Sequence, residues 1–214
     1  MRKVDRLGVS MFKFLKKLFL SSDSNSSRRI PTVNIDAPQF KGLRPSVARI
    51  SQILRDEEVI KPDHISWFAN NIRAGFTNSS RSTLQTLVRD GELLEPDELR
   101  ALGLRANRKI GRNFVERLSA ADLSEAIDSI ATAILFVNAE ANMKFSLKQM
   151  DDVGLKYVTL CSPDDERQTE VEREFDGRKL TIAEAEELVL NHGREIMRST
   201  FIADTDDLLE SLGI

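Results

Sequence analysis

Apolar positions recur with a helical period over most of this chain and change to an extended pattern near its end. Between Asp122 and Gln149, the residues Ala126, Ile127, Ile130, Ile134, Leu135, Val137, Ala141 and Phe145 are spaced by one, three and four. That spacing predicts a core helix of about seven turns at ~3.6 residues each. Asn138, Glu140 and Asn142 interrupt its apolar middle. Buried polar groups need partners, so this turn either faces a loop or belongs to a hydrogen-bond network. Asp151, Asp152 and Gly154 are expected to stop the helix.

Shorter helices precede it. Pro45 opens one in which Val47, Ile50, Ile53 and Leu54 share a face. Lys61-Pro62-Asp63-His64 starts a second, with Asp63 as its cap and Ile65, Phe68, Ile72 and Trp67 on its apolar side. His64 has no second ligand at metal spacing and reads as a first-turn surface residue. A third helix runs from Ser80 to Asp90 and ends at Gly91. A fourth begins at Glu95-Pro96-Asp97-Glu98 and carries Arg100, Arg105, Arg108, Lys109 and Arg112. These cations scatter around a helix with no interleaved aromatics, which favours a solvated face over a nucleic-acid stripe.

After Gly154 the period changes. Lys156 to Cys161, with Tyr157, Val158 and Thr159, predicts a short strand. Ser162-Pro163-Asp164-Asp165 is a turn, Glu166 to Phe175 a helical stretch, and Asp176-Gly177 a strong turn dipeptide. Leu180 to Ile182 is extended, and Thr181 with Glu184 forms a capping box for a helix from Ile182 to about Asn191. Arg198 to Ala203 reads as a closing strand and Asp204 to Ile214 as an acidic tail. The expected fold is α+β: a mostly helical N-terminal two thirds, then a small C-terminal sheet packed on the long helix.

Charge adds an arm to this picture. The 214 residues carry a net charge of −3, but residues 1–30 hold eight Lys/Arg against two acids, and residues 114–214 hold ten against twenty-two. From Leu7 to Leu20, Met11, Phe12, Leu15, Leu18 and Phe19 oppose Lys13, Lys16 and Lys17, which predicts a short basic amphipathic helix. The lysines break its apolar run, so it neither spans a bilayer nor reads as a secretory signal. A serine-rich linker, Ser21 to Ser27, and then Arg28 and Arg29 follow. A disordered or docking arm is favoured over membrane binding. Such an arm suits phosphates, lipid or another acidic surface, whereas the acidic body is a poor candidate for coating nucleic acid. Pro31 to Pro45 is expected to be extended. Three regions result: 1–30, the basic arm and linker; 31–113, helical; and 114–214, a C-terminal α/β unit.

Catalytic signatures are sparse. The single cysteine, Cys161, excludes an intramolecular disulfide and a four-cysteine zinc site, and suits a reducing compartment. There is no glycine-rich phosphate loop and no Gly-x-Ser-x-Gly elbow. Cys161 with His64 or His192 would be a nucleophilic pair, but a small apolar residue at a strand end is the favoured reading. Asp164, Asp165, Glu166, Glu170 and Asp176 either collect a divalent cation or, the favoured reading, solvate a turn. No cofactor and no metal are expected. If the closing segment pairs beside Lys156–Cys161, Arg167 and Arg198 approach Asp165 and Asp176 as buried ion pairs that fix loop geometry.

Several of these motifs, taken in order, resemble the phage Mu F-like head morphogenesis family, the minor head proteins of tailed phages and prophages. The matching pieces are Asn138-Ala139-Glu140-Ala141-Asn142, Gly154-Leu155-Lys156-Tyr157-Val158, Asp165-Glu166-Arg167-Gln168-Thr169, Asp176-Gly177, His192 and Arg198-Ser199-Thr200-Phe201-Ile202. They cover roughly Asp122 to Asp204. The family's frequent Cys-x-x-Cys is replaced by Glu170-Val171-Glu172-Arg173, so its zinc is not expected, and the spacing from His to Arg is longer than usual. The resemblance implies a non-enzymatic assembly role in a phage or prophage head, with portal or capsid proteins as partners and DNA met through the basic arm, in the virion or host cytoplasm. Asp165, Arg167, Thr169, Asp176, Gly177, His192 and Arg198 are then structural or interaction residues. The alternatives are a membrane-associated or secreted effector using the amphipathic helix and, more weakly, an enzyme using the acids and Cys161.

Overall fold

The computed structural model describes residues 44–77, 79–119 and 122–204. By internal contacts the chain divides after Val33, and all of these residues belong to the unit Asn34–Ile214. The amphipathic arm with Lys13, Lys16, Lys17, Arg28 and Arg29, most of the proline-rich stretch, and the tail after Asp204 lie outside the described residues.

The protein is α+β. Among the described residues the helices are α1 (Val47–Asp56), α2 (Ile65–Ala74), α3 (Ser80–Val88), α4 (Pro96–Ala101), α5 (Arg112–Glu116), α6 (Leu123–Asp152), α7 (Glu170–Phe175) and α8 (Ile182–His192). The strands among them are β1 (Tyr157–Cys161), β2 (Lys179–Thr181) and β3 (Thr200–Ala203). They form an antiparallel sheet in the order β2-β1-β3, with Val158 opposite Leu180 on one side and Ala203 on the other.

Local chemistry explains the starts and stops. Pro45 stands before α1 rather than opening it: Ser46 caps the helix by accepting from Arg49 N at 3.1 Å, and the helix begins at Val47. Asp63 caps nothing: Pro62–His64 forms a single 3₁₀ turn before α2, and neither start has a side-chain cap. The fourth helix stops at Ala101, and its capping box pairs Glu95 with Glu98. Arg105, Arg108 and Lys109 therefore lie on a loop, and Arg112 begins α5. Helix α6 keeps Asp151 and Asp152 in its last turn and ends where Gly154 takes φ +84°. Of the stretch from Glu166 to Phe175, only Glu170–Phe175 is helical. The residues before it form a turn closed by Gln168 N donating to Asp165 O at 3.0 Å.

Helix α6 joins two apolar clusters. Its residues from Leu123 to Ala141 pack with α1, α2, α3, α4 and α5 around Phe68 and Phe114, whose rings meet edge-on at 5.9 Å. Its residues Met143 and Leu147 pack with Val158, Leu160, Leu180, Val189 and Phe201 of the sheet and α8. A helix touched by α1, α3, α8 and β3 is apolar on several faces, as its buried residues are. Arg194, just after α8, pairs with Glu57, just after α1, and ties the two clusters together.

Candidate functional site: a clasp and a groove beside the closing strand

Pairing β3 with β1 gathers most of the singled-out residues at one end of the sheet. The chain leaves β1 at Cys161, makes a loop and α7, and returns at Asp176-Gly177. There Gly177, at φ +70°, donates its N–H to Leu160 O at 2.8 Å, and Asp176 Oδ1 accepts from Ser162 N at 2.7 Å. Asp176 thus fastens the two ends of the loop to each other through backbone. Among the described residues it enters no arginine pair, and its Oδ1 serves the Ser162 amide instead.

Arg198 enters just before β3 and holds Asp165 with two guanidinium nitrogens, Nη1 at 3.1 Å and Nη2 closer. Arg167 contributes its backbone N–H at 2.9 Å and, more loosely, Nη2 at 3.4 Å. The Arg198 guanidinium, followed by the Arg167 amide and charge, lowers the Asp165 carboxyl to about 2, and Asp165 raises Arg198 in turn. The pair is not buried: the side chains keep 28% and 36% of their exposure. Solvent screening therefore makes it a positional link more than a source of stability.

The buried part is a carboxylate the sequence reading did not single out. Glu172 in α7 is wholly buried. Its Oε2 accepts from Thr169 N at 3.0 Å and its Oε1 from Ser199 Oγ at 2.8 Å. Ser199 Oγ also lies 2.9 Å from Ser162 Oγ. A hydroxyl has one proton, and a carboxylate only accepts, so Ser199 donates to Glu172 and Ser162 donates to Ser199. Thr169 closes the capping box, its Oγ1 accepting from Glu172 N at 3.0 Å and donating to Glu195 O at 3.1 Å. The signal was in the sequence: Thr169-x-x-Glu172 has the same form as Thr181-x-x-Glu184.

His192 stands outside this network. Its Nδ1 meets Glu195 Oε2 at 2.8 Å, both side chains being about half exposed, and only the Glu195 carbonyl reaches Thr169. Arg167 extends into solvent with 80% of its side chain exposed. Among the described residues no group of three or more His, Cys, Asp or Glu side chains is arranged to hold a metal ion.

Two further motif segments face each other beside the clasp. Asn138, Ala139, Asn142 and Met143 of α6 and Met197 to Phe201 line an open groove of about 440 Å³. Behind it, buried Glu140 accepts from Arg49 Nε at 3.0 Å and from Lys144 Nζ, and Asn138 Nδ2 donates to Ser80 Oγ at 2.6 Å. Two of the three polar residues in the apolar helix thus belong to hydrogen-bond networks, while Asn142 is exposed in the groove. No helix among the described residues is long and apolar enough to cross a membrane. Compared with family models, curated proteins and solved structures, the chain gives no match.

Proposed function

We propose that this chain is a non-enzymatic structural protein of a phage or prophage head, a minor head or portal-associated component. One observation carries the reading. Four of the six segments that resemble the head morphogenesis family, Asn138–Asn142, Asp165–Thr169, Asp176-Gly177 and Arg198–Ile202, converge on one clasp and the groove beside it, while Gly154–Val158 and His192 lie outside it. Their polar groups are spent on the fold itself: Asp165 on Arg198, Thr169 on Glu172 and Glu195, and Asp176 on Ser162. Such a constellation shapes a surface rather than activating a nucleophile. The groove, with exposed Leu135 and Asn142 on its rim, is the face offered to a portal or capsid protein.

Mass spectrometry of gradient-purified heads, from cells carrying the gene and from cells deleted for it, tests the reading. The chain is expected in the heads at a fixed low copy number, and the deletion is expected to lower the yield of filled heads. Heads that lack the protein and fill normally without it overturn the assignment.

A further inference from the structure

A second surface, remote in sequence from the clasp residues, carries unneutralised positive charge. Helix α3 and the loop that follows α4 enclose an open cleft of about 660 Å³. Arg81 and Arg89 come from the α3 side, Arg108 and Lys109 from the loop, and all four side chains are exposed. Among the described residues none of the four enters an ion pair, and the cleft lining includes no Asp or Glu. Nearby acids are engaged elsewhere: Asp90 pairs with Arg117 and Glu98 with Arg112. Four like charges around one concavity repel one another in the empty protein, and a polyanion removes that repulsion.

The geometry suits a linear anion. Arg81, Gln85 and Arg89 follow one another at intervals of four, so their donors advance along α3 by about 6 Å each at 1.5 Å per residue. That row can follow successive charges along an extended backbone. Leu84, Val88, Ile110 and Ile127 form the floor, and no aromatic side chain lines the cleft for stacking bases. Contacts through phosphates alone follow from this.

The cleft is also preformed. Gly111 N donates to Val88 O at 2.8 Å, which fastens the cationic loop to the end of α3, and Leu94 N donates to Ile110 O at 2.8 Å, which fastens it to the segment before α4. A Cβ at Gly111 would stand 2.0 Å from the Asp90 carbonyl oxygen, so only glycine allows the two walls to approach this closely.

We infer that the cleft lined by Arg81, Arg89, Arg108 and Lys109 is a sequence-independent binding site for the phosphate backbone of nucleic acid, separate from the N-terminal arm. It operates although the body as a whole is acidic, because binding responds to the local field of a cleft and not to net charge. The inference is independent of the head-protein reading, since none of these residues contributes to the resemblance.

Fluorescence anisotropy with a labelled duplex oligonucleotide and the full chain tests it at several salt concentrations. The variant Arg81→Gln/Arg108→Gln is expected to bind about tenfold or more weakly, with a salt slope lower by about two, one for each lost phosphate contact. Lys13→Gln/Lys16→Gln/Lys17→Gln, which changes only the arm, keeps the cleft's contribution. Gly111→Ala keeps every charge but displaces the wall, and is expected to weaken binding while leaving net charge unchanged. Wild-type affinity and slope in the Arg81/Arg108 variant overturn the inference. So does competition by tripolyphosphate as effective, per phosphate, as competition by unlabelled duplex.

Discussion

Ser199 Oγ donates to Glu172 Oε1 at 2.8 Å, joining the segment just before the closing strand to a wholly buried carboxylate in α7. Through this bond the residue that leads into β3 holds down the excursion that leaves β1. The Asp165–Arg198 pair, about one-third exposed, makes the same connection from the solvent side. One link is buried and hydrogen-bonded, the other ionic and screened, and the two respond differently to mutation and pH.

Ser199→Ala leaves Glu172 Oε1 buried with its donor gone. An unsatisfied buried acceptor costs about 1–3 kcal/mol. For a domain of this size, a loss of that order lowers the midpoint of thermal unfolding by about 2–12 °C. Glu172→Gln keeps the volume and lets the network reverse, its amide oxygen accepting from Thr169 N and its N–H donating to Ser199 Oγ, which then donates to Ser162 Oγ, so a smaller loss than for Ser199→Ala is expected. Differential scanning calorimetry of both variants checks this.

Acid weakens the ionic link in a defined window. Asp165 is lowered from its ordinary value of 3.8 to about 2, chiefly by the Arg198 guanidinium. The unfolded chain therefore takes up the Asp165 proton before the folded one does. The contribution is fully present above 3.8 and disappears as pH falls through about 2. Unfolding midpoints of wild type and Asp165→Asn are expected to differ near neutrality and to converge toward about pH 2. Urea titrations along a pH series read this out.

Glu140 poses the opposite electrostatic case, because its side chain keeps only 5% of its exposure between Arg49 and Lys144. Arg49→Met removes one partner and leaves a buried charge with a single, half-exposed lysine. The full cost of breaking a buried pair is about 3–5 kcal/mol, and the remaining lysine keeps the loss below that. Arg49→Met/Glu140→Met, which removes both charges, is expected to recover most of the stability. A double-mutant cycle by urea denaturation measures the recovery, and a double variant as unstable as the single one contradicts the expectation.

Much of the fold was legible from periodicity and caps. The long helix, the two-residue Asp176-Gly177 turn and the Thr181/Glu184 box appear where spacing and capping chemistry put them. Errors fell where a local signal competed with tertiary contacts. Asp63 has the side chain of a cap, but Pro62 sets a 3₁₀ turn and α2 starts after it. The cations from Arg105 to Lys109 looked like part of a helix, whereas Gly103, at φ +73°, and Gly111 shape a loop that carries them beside α3. Glu172 differs from its acidic neighbours by the Thr169-x-x-Glu172 spacing, which marks a cap but not burial. Its burial depends on β3 bringing Ser199 over α7, a relationship set by pairing across the sheet.

The most direct measurement of the clasp is amide hydrogen exchange followed by mass spectrometry in wild type and Ser199→Ala. If the network from Ser162 through Ser199 to Glu172 fastens the excursion after β1, exchange in residues 162–178 accelerates by about fivefold or more, as expected for a loss of about 1 kcal/mol or more in local opening. The middle of α6 keeps its protection. Unchanged exchange across 162–178, or a uniform rise in every element, contradicts the clasp.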